Sequence, residues 1–175
     1  MKIIFSLFIG LLLFTFAPVG VYAQHRNLTI ILLRHAEKDA SPTADKTNPE
    51  LSAQGKLRAQ RLIKVVNKYK PNAIYSSDFI RARATAAPLA ERRKLSIEVY
   101  NHRDLKQLAD LIMSGKIKRL VVVGHNTTTP ALVNMLIGAE KYKALEESEY
   151  DKIFVVKIKK KNNKPNKIEE KVITY

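Results

Sequence analysis

The stretch ILLRHAEKD, residues 31–39, decides how this chain is read. It closes an aliphatic run on a permanent cation, Arg34, and a titrating imidazole, His35. LTIILL (28–33) is continuous, rich in β-branched residues and too short for a helix, so it reads as a strand covered on both faces. RLVVVGH (119–125) has the same character and delivers a second histidine, His125, at its end. In open α/β sheets ligands bind beyond the carboxyl ends of the strands, where the strand order reverses. Two buried strands therefore bring an imidazole each to one rim.

Shorter strands are expected at NAIYSS (72–77) and LSIEVY (95–100). Leu57, Leu62, Val65, Val66 and Tyr69 recur at helical spacing after Ser52, a good N-cap, and Pro71 ends that helix. Further helices are expected over about 79–92, 104–113 and 130–137, the last opened by Pro130, a favoured first-turn residue. DKIFVVKIK (151–159) and EKVITY (170–175) read as a closing antiparallel pair. The order implies an α/β fold: a three-layer α/β/α sandwich whose sheet is mainly parallel, with a C-terminal antiparallel hairpin.

The first residues, MKIIFSLFIGLLLFTFAPVGVYAQ, combine Lys2, an apolar block and a small-residue Val21-Tyr22-Ala23 site. They read as a signal peptide over residues 1–23 with cleavage before Gln24, and the rival reading is a retained anchor. One domain over 24–175 is then expected, in the periplasm or secreted. The chain has no cysteine, so its core alone must hold it. A net charge of +15 points to nucleic acid, an anionic envelope surface or a phosphorylated substrate. Export and sparse aromatic residues argue against nucleic acid. The run KIKKKNNKPNK (157–167) reads as a solvated hairpin, with attraction to anionic lipid or polysaccharide as the alternative. His25, beside the cleavage point, receives no role.

The third motif is SSDFIRARATAAPLA, residues 76–90, which leaves a strand and enters a helix. Arg81 and Thr85 share a helix face at i, i+4, and Ser77 lies one turn earlier. If the three strand ends meet, Arg34, His35, Ser77, Arg81 and His125 converge. Two guanidiniums, a hydroxyl and the backbone amides of a helix N-terminus suit a dianionic phosphoryl group.

With these residues in place, the chain resembles the histidine phosphatase superfamily. Its R-H-G hallmark stands as LRHAEK, with Ala36 for glycine. The S-x-x-x-R-A-x-x-T-A segment runs from Ser77 through Arg81 and Thr85 to Ala86, its late G-H pair is VVVGHNTTTP, and LSAQGKLRAQRL is similar to the segment after the first loop. The resemblance implies that His35 is a nucleophile forming phosphohistidine, that Arg34 and Arg81 bind the phosphoryl oxygens, and that His125 donates to them. Ser77 is divided between touching phosphate and capping the helix, and Thr85 reads as helix packing. Nearby cations disfavour imidazolium and should keep His35 neutral. No metal or other cofactor is expected, because guanidinium and imidazole donors do that electrostatic work.

The chain departs from the pattern at the general acid. The phosphoglycerate mutase branch takes a glutamate from the region after the third strand, where the alignment puts Gln107. Asp104, His102 and Glu37 are the substitutes, Asp104 having a plainer reading as N-cap of the third helix. Without an acid, rates should depend steeply on the leaving group. The short chain implies an open site for small or surface-attached phosphate esters or anhydrides, not a mutase. Two alternatives stand: a phospho-ligand-binding protein that no longer turns over, and a metallohydrolase built on His35, Glu37, His102 and His125.

Overall fold

Alternation of side chains along a strand puts Ile31 and Leu33 on one face of the sheet and Leu28, Ile30 and Leu32 on the other, and all five are buried. The computed structural model describes residues 27–161 and 164–175. The expected signal peptide, the cleavage point before Gln24 and His25 lie outside the described residues. The first strand, β1 (Asn27–Arg34), is followed by α1 (Ala53–Val66), β2 (Ala73–Ser77), α2 (Ile80–Arg93), β3 (Ile97–Tyr100) and α3 (Leu105–Met113). Then come β4 (Arg119–Gly124), α4 (Thr128–Ile137), β5 (Lys152–Lys161) and β6 (Lys164–Thr174).

The six strands lie in the order β3-β2-β4-β1-β5-β6. The first four are mutually parallel, and β5 and β6 are antiparallel, as the α/β reading expects. Leu62 and Val66 of α1 and Ala82, Ala86 and Leu89 of α2 pack with Ile31, Leu33, Val121 and Val123. On the opposite face, Leu108 and Ile112 of α3 and Leu132 and Leu136 of α4 pack with Leu28, Ile30, Leu32, Leu120 and Val122. These are the three layers. They explain why β1 and β4 carry no polar alternation, since each is covered on both sides.

The register fixes the rim. Arg34 pairs with Gly124 across β1 and β4, and Ser76 pairs with Val123 across β2 and β4. Ser77, Gly124 and Arg34 therefore end their strands at one level. The chain leaves β1 toward β2 and returns from β3 into the gap between them, so β4 marks the reversal where ligands bind.

Local chemistry sets the helix ends. The Ser52 hydroxyl accepts from the Gly55 amide at 3.1 Å, and Lys70 in the left-handed region ends the turn after α1. α4 begins two residues before Pro130, which sits within its first turn. The described residues of the lysine-rich run lie in β5 and β6, and β6 starts at Lys164, well before the expected 170. Glu169, bonded to both Lys159 and Lys167, offsets the lysine repulsion there.

One packing constraint ties α1 to the motif loop. A Cβ built on Gly55 would stand 2.2 Å from the Glu37 carbonyl oxygen, so the helix approaches the backbone after His35 as only glycine allows. Gly55→Ala should lower stability by about 1–3 kcal/mol, read by urea denaturation. An unchanged midpoint would contradict this contact.

Candidate active site

His35 follows β1 directly, its amide donating to the Gly124 carbonyl at 2.9 Å. The ring is 3 % exposed, and Nδ1 lies 2.8 Å from the Ala36 carbonyl oxygen. A carbonyl only accepts, so Nδ1 carries the proton and the neutral ring has its lone pair on Nε2. Burial, and then the charges of Arg81, His125 and Arg34, bring the His35 pKa to about 3, the Ala36 hydrogen bond acting the other way. Neutrality at pH 7 thus comes first from desolvation, with the cations expected from the motif in second place.

Arg81 donates from Nε to that Nε2 at 3.1 Å, its guanidinium 4.4 Å above the Phe79 ring. Arg34 is 2 % exposed and is held by residues 146–150. Its Nη1 donates to the carbonyls of Glu146 at 2.9 Å and Glu147 at 3.0 Å, and Nη2 donates to the Glu147 carboxylate at 2.8 Å. The Tyr150 ring lies 4.1 Å beneath the guanidinium. Two donors are left over: Arg34 Nε and Arg81 Nη1 are buried without a hydrogen-bond partner. Unpaired buried N–H groups of a cation are costly, and an oxyanion beside His35 would satisfy them.

His125 follows β4, its ring 5.3 Å from that of His35 and its Nε2 2.9 Å from the Ser77 hydroxyl. Burial first, then Arg81, His102 and Arg34, lower its pKa to about 4. Ser77 is fully buried on this bond and caps nothing, because Asn48 Oδ1 accepts from the Ile80 amide at the start of α2. Thr85 does more than pack: its hydroxyl accepts from the Ala36 amide at 2.9 Å and donates to the Arg81 carbonyl at 2.7 Å. It locks the loop that carries His35 to the helix carrying Arg81. Ala36 is compatible with this loop because its φ is not positive and its methyl fills a pocket beside Leu51 and Ala59. Gly124 is required for space, since a Cβ there would lie 2.9 Å from the Thr129 and Tyr100 hydroxyl oxygens.

Arg34, His35, Arg81 and His125 line one cleft of about 310 Å³ with Lys38, Phe79, His102, Thr128 and Glu147. The three acid candidates separate. Asp104 caps α3, accepting from the Gln107 amide at 3.0 Å, and both residues line a different cavity, so the structure places Asp104 outside the cleft. Glu37 receives Arg58 through Nε at 2.9 Å and Nη2 at 2.7 Å. Burial pushes the Glu37 carboxyl up, but the Arg58 bonds outweigh it and hold it below its ordinary range. His102 alone of the three faces the cleft. Among the described residues no group of three or more His, Cys, Asp or Glu side chains is arranged to hold a metal ion.

Glu147 and Tyr150 are site residues that sequence reasoning missed. They lie in a loop without periodicity, yet EESEYD (146–151) is a concentrated acidic run in a basic chain. Glu147, within that run, is the acidic side chain that Arg34 meets. Because the Glu147 carboxylate is largely exposed and competes with a phosphoryl oxygen for Arg34 Nη2, Glu147→Gln should tighten inorganic phosphate binding about 2- to 5-fold, measured by calorimetric titration. Weaker binding would show instead that the carboxylate is needed to position Arg34.

Residues 30–107, which include Arg34, His35, Ser77 and Arg81, match the Histidine phosphatase superfamily (branch 1). No curated protein sequence matches the chain significantly. Among solved structures, mycobacterial hydrolase 2 superposes with a TM-score of 0.64 at 18% identity, over 83% of this chain and 89% of that one. The protein histidine phosphatase SixA, solved with tungstate, gives 0.62 at 14% identity over 84% and 97%. A mycobacterial glucosyl-3-phosphoglycerate phosphatase, solved with inorganic phosphate, gives 0.61 at 18% over 86% and 96%. At these identities the structures establish the fold, and it agrees with the histidine phosphatase superfamily match over residues 30–107.

Proposed function

We propose that this protein is a phosphatase that works without a metal through a phosphohistidine on His35. The carrying observation is the pair of unpartnered donors, Arg34 Nε and Arg81 Nη1, beside a neutral His35 whose Nε2 is free of a proton. A phosphoryl dianion entering the cleft takes these donors. Its phosphorus meets the Nε2 lone pair, and Arg81 moves its hydrogen bond from the nucleophile to the oxygen. Preorganised donors stabilise the charge that develops in transfer. Water then releases phosphate from the imidazole.

The open cleft suits small or surface-attached phosphate esters and anhydrides. The leader-like first residues make the periplasm or the exterior the proposed place of action, with an envelope component as one source of substrate. The phosphatases among the structural relatives support the reaction class.

His35→Ala should abolish hydrolysis of p-nitrophenyl phosphate while leaving the fold intact, and Arg81→Ala should cost roughly 100-fold or more. Parent-like rates in either variant would overturn the assignment. Phosphate binding without any hydrolysis by the unsubstituted protein would make it a binding protein on the same fold.

The acid limb of kcat/KM reports the free protein's groups, so it should be centred near 4, not at the ordinary histidine value. Unfolding restores ordinary imidazoles. Below about pH 6.5 the unfolded chain then binds more protons, and stability should fall as pH falls from there toward 4. A limb at 6.5, or thermal stability that rises on acidification in that window, would contradict neutral buried imidazoles.

A further inference from the structure

We propose that His102 is the proton donor to the leaving group, which extends the substrate class to alkyl phosphates; this rests on the phosphohistidine reading above. His102 sits in the turn between β3 and α3. That turn is fixed at both ends: Asn101 Oδ1 accepts from the Arg103 amide at 3.0 Å, and Asp104 caps α3. Its ring packs edge-on against Phe79 with centroids 5.2 Å apart, and Phe79 packs against His125 at 4.9 Å. The His102 and His125 rings are 5.8 Å apart. Phe79 is therefore a wedge that sets the position of both.

Elimination among the cleft residues points the same way. His35 is the nucleophile, His125 is bonded through Nε2 to Ser77, and the two arginines stay protonated. The Glu147 carboxylate is engaged by Arg34 at 2.8 Å and by Asn126 Nδ2 at 3.2 Å. Lys38 also lines the cleft, and Asn126, Thr127 and Thr128 do not titrate. His102 is the titratable side chain in the cleft whose ring nitrogens make no hydrogen bond to another described residue. Exposure increases from the buried His35 and His125 to the half-buried His102, which places it toward the cleft mouth. An in-line displacement directs the leaving oxygen away from Nε2, so its proton donor must come from another cleft residue.

The step balances. As the His35 Nε2–P bond forms, the P–O bond to the alcohol breaks, and the His102 imidazolium gives its proton to the departing oxygen. The products are the free alcohol, phosphohistidine and neutral His102. In the second half a water attacks phosphorus, its proton passes to His102, and the N–P bond breaks. His102 thereby stands in for the glutamate that the pattern expects where Gln107 stands, and the steep leaving-group dependence expected without an acid should be much reduced.

The test compares p-nitrophenyl phosphate, whose leaving group needs no proton, with glycerol phosphate, whose alkoxide does. His102→Gln should lower kcat/KM on glycerol phosphate about 100-fold while changing the aryl ester less than about 3-fold. His102→Glu should recover part of the alkyl activity, which a packing role for the ring would not. Equal losses on both esters, no loss on either, or a selective loss in Glu147→Gln instead would overturn the proposal. The underlying reading fails separately: it falls if His35→Ala still hydrolyses the aryl ester.

Discussion

The hydrogen bond from His35 Nδ1 to the Ala36 carbonyl, 2.8 Å long, is the constraint on which the site depends. It chooses the tautomer, and the tautomer leaves the ring's lone pair on Nε2. Everything around it holds that short loop still. β1 ends one residue before it, paired to β4 through Arg34 and Gly124. Thr85 anchors the Ala36 amide, and Gly55 lets α1 close on the Glu37 backbone. A loop free to turn would let the imidazole rotate and exchange its two nitrogens.

Placing two guanidiniums beside a buried imidazole carries an electrostatic cost that the fold meets unevenly. Arg34 is almost fully supplied with acceptors from residues 146–150, so it is stable without ligand and keeps only Nε in reserve. Arg81 is half-buried over Phe79 and is the less committed of the two. Burial lowers its pKa, and the Arg34 charge adds to this, so the pair repels and favours any anion placed between them. Glu147 occupies part of that role before substrate arrives.

Most of this was legible in the chain. The two uninterrupted aliphatic runs showed strands covered on both faces, and their trailing histidines marked the rim. The i, i+4 pair Arg81 and Thr85 showed which helix face turns inward. Less legible were features made by long-range packing. The contacts of Arg34 with residues 146–150 join positions more than a hundred residues apart, and no periodicity announces them. The choice between Asp104 and His102 stayed open, although the N-cap reading of Asp104 was legible, because capping chemistry and catalytic chemistry want the same residue type. The structure separates them by direction: Asp104 turns back to its own helix, and His102 faces the cleft.

The measurement that tests the account most directly is identification of the phosphorylated nitrogen after rapid quenching with substrate. Phosphate should be found on His35, in the acid-labile isomer linked through Nε2, as distinguished by NMR of the trapped protein. Phosphate on Nδ1, on any other residue, or on none during active turnover would contradict it.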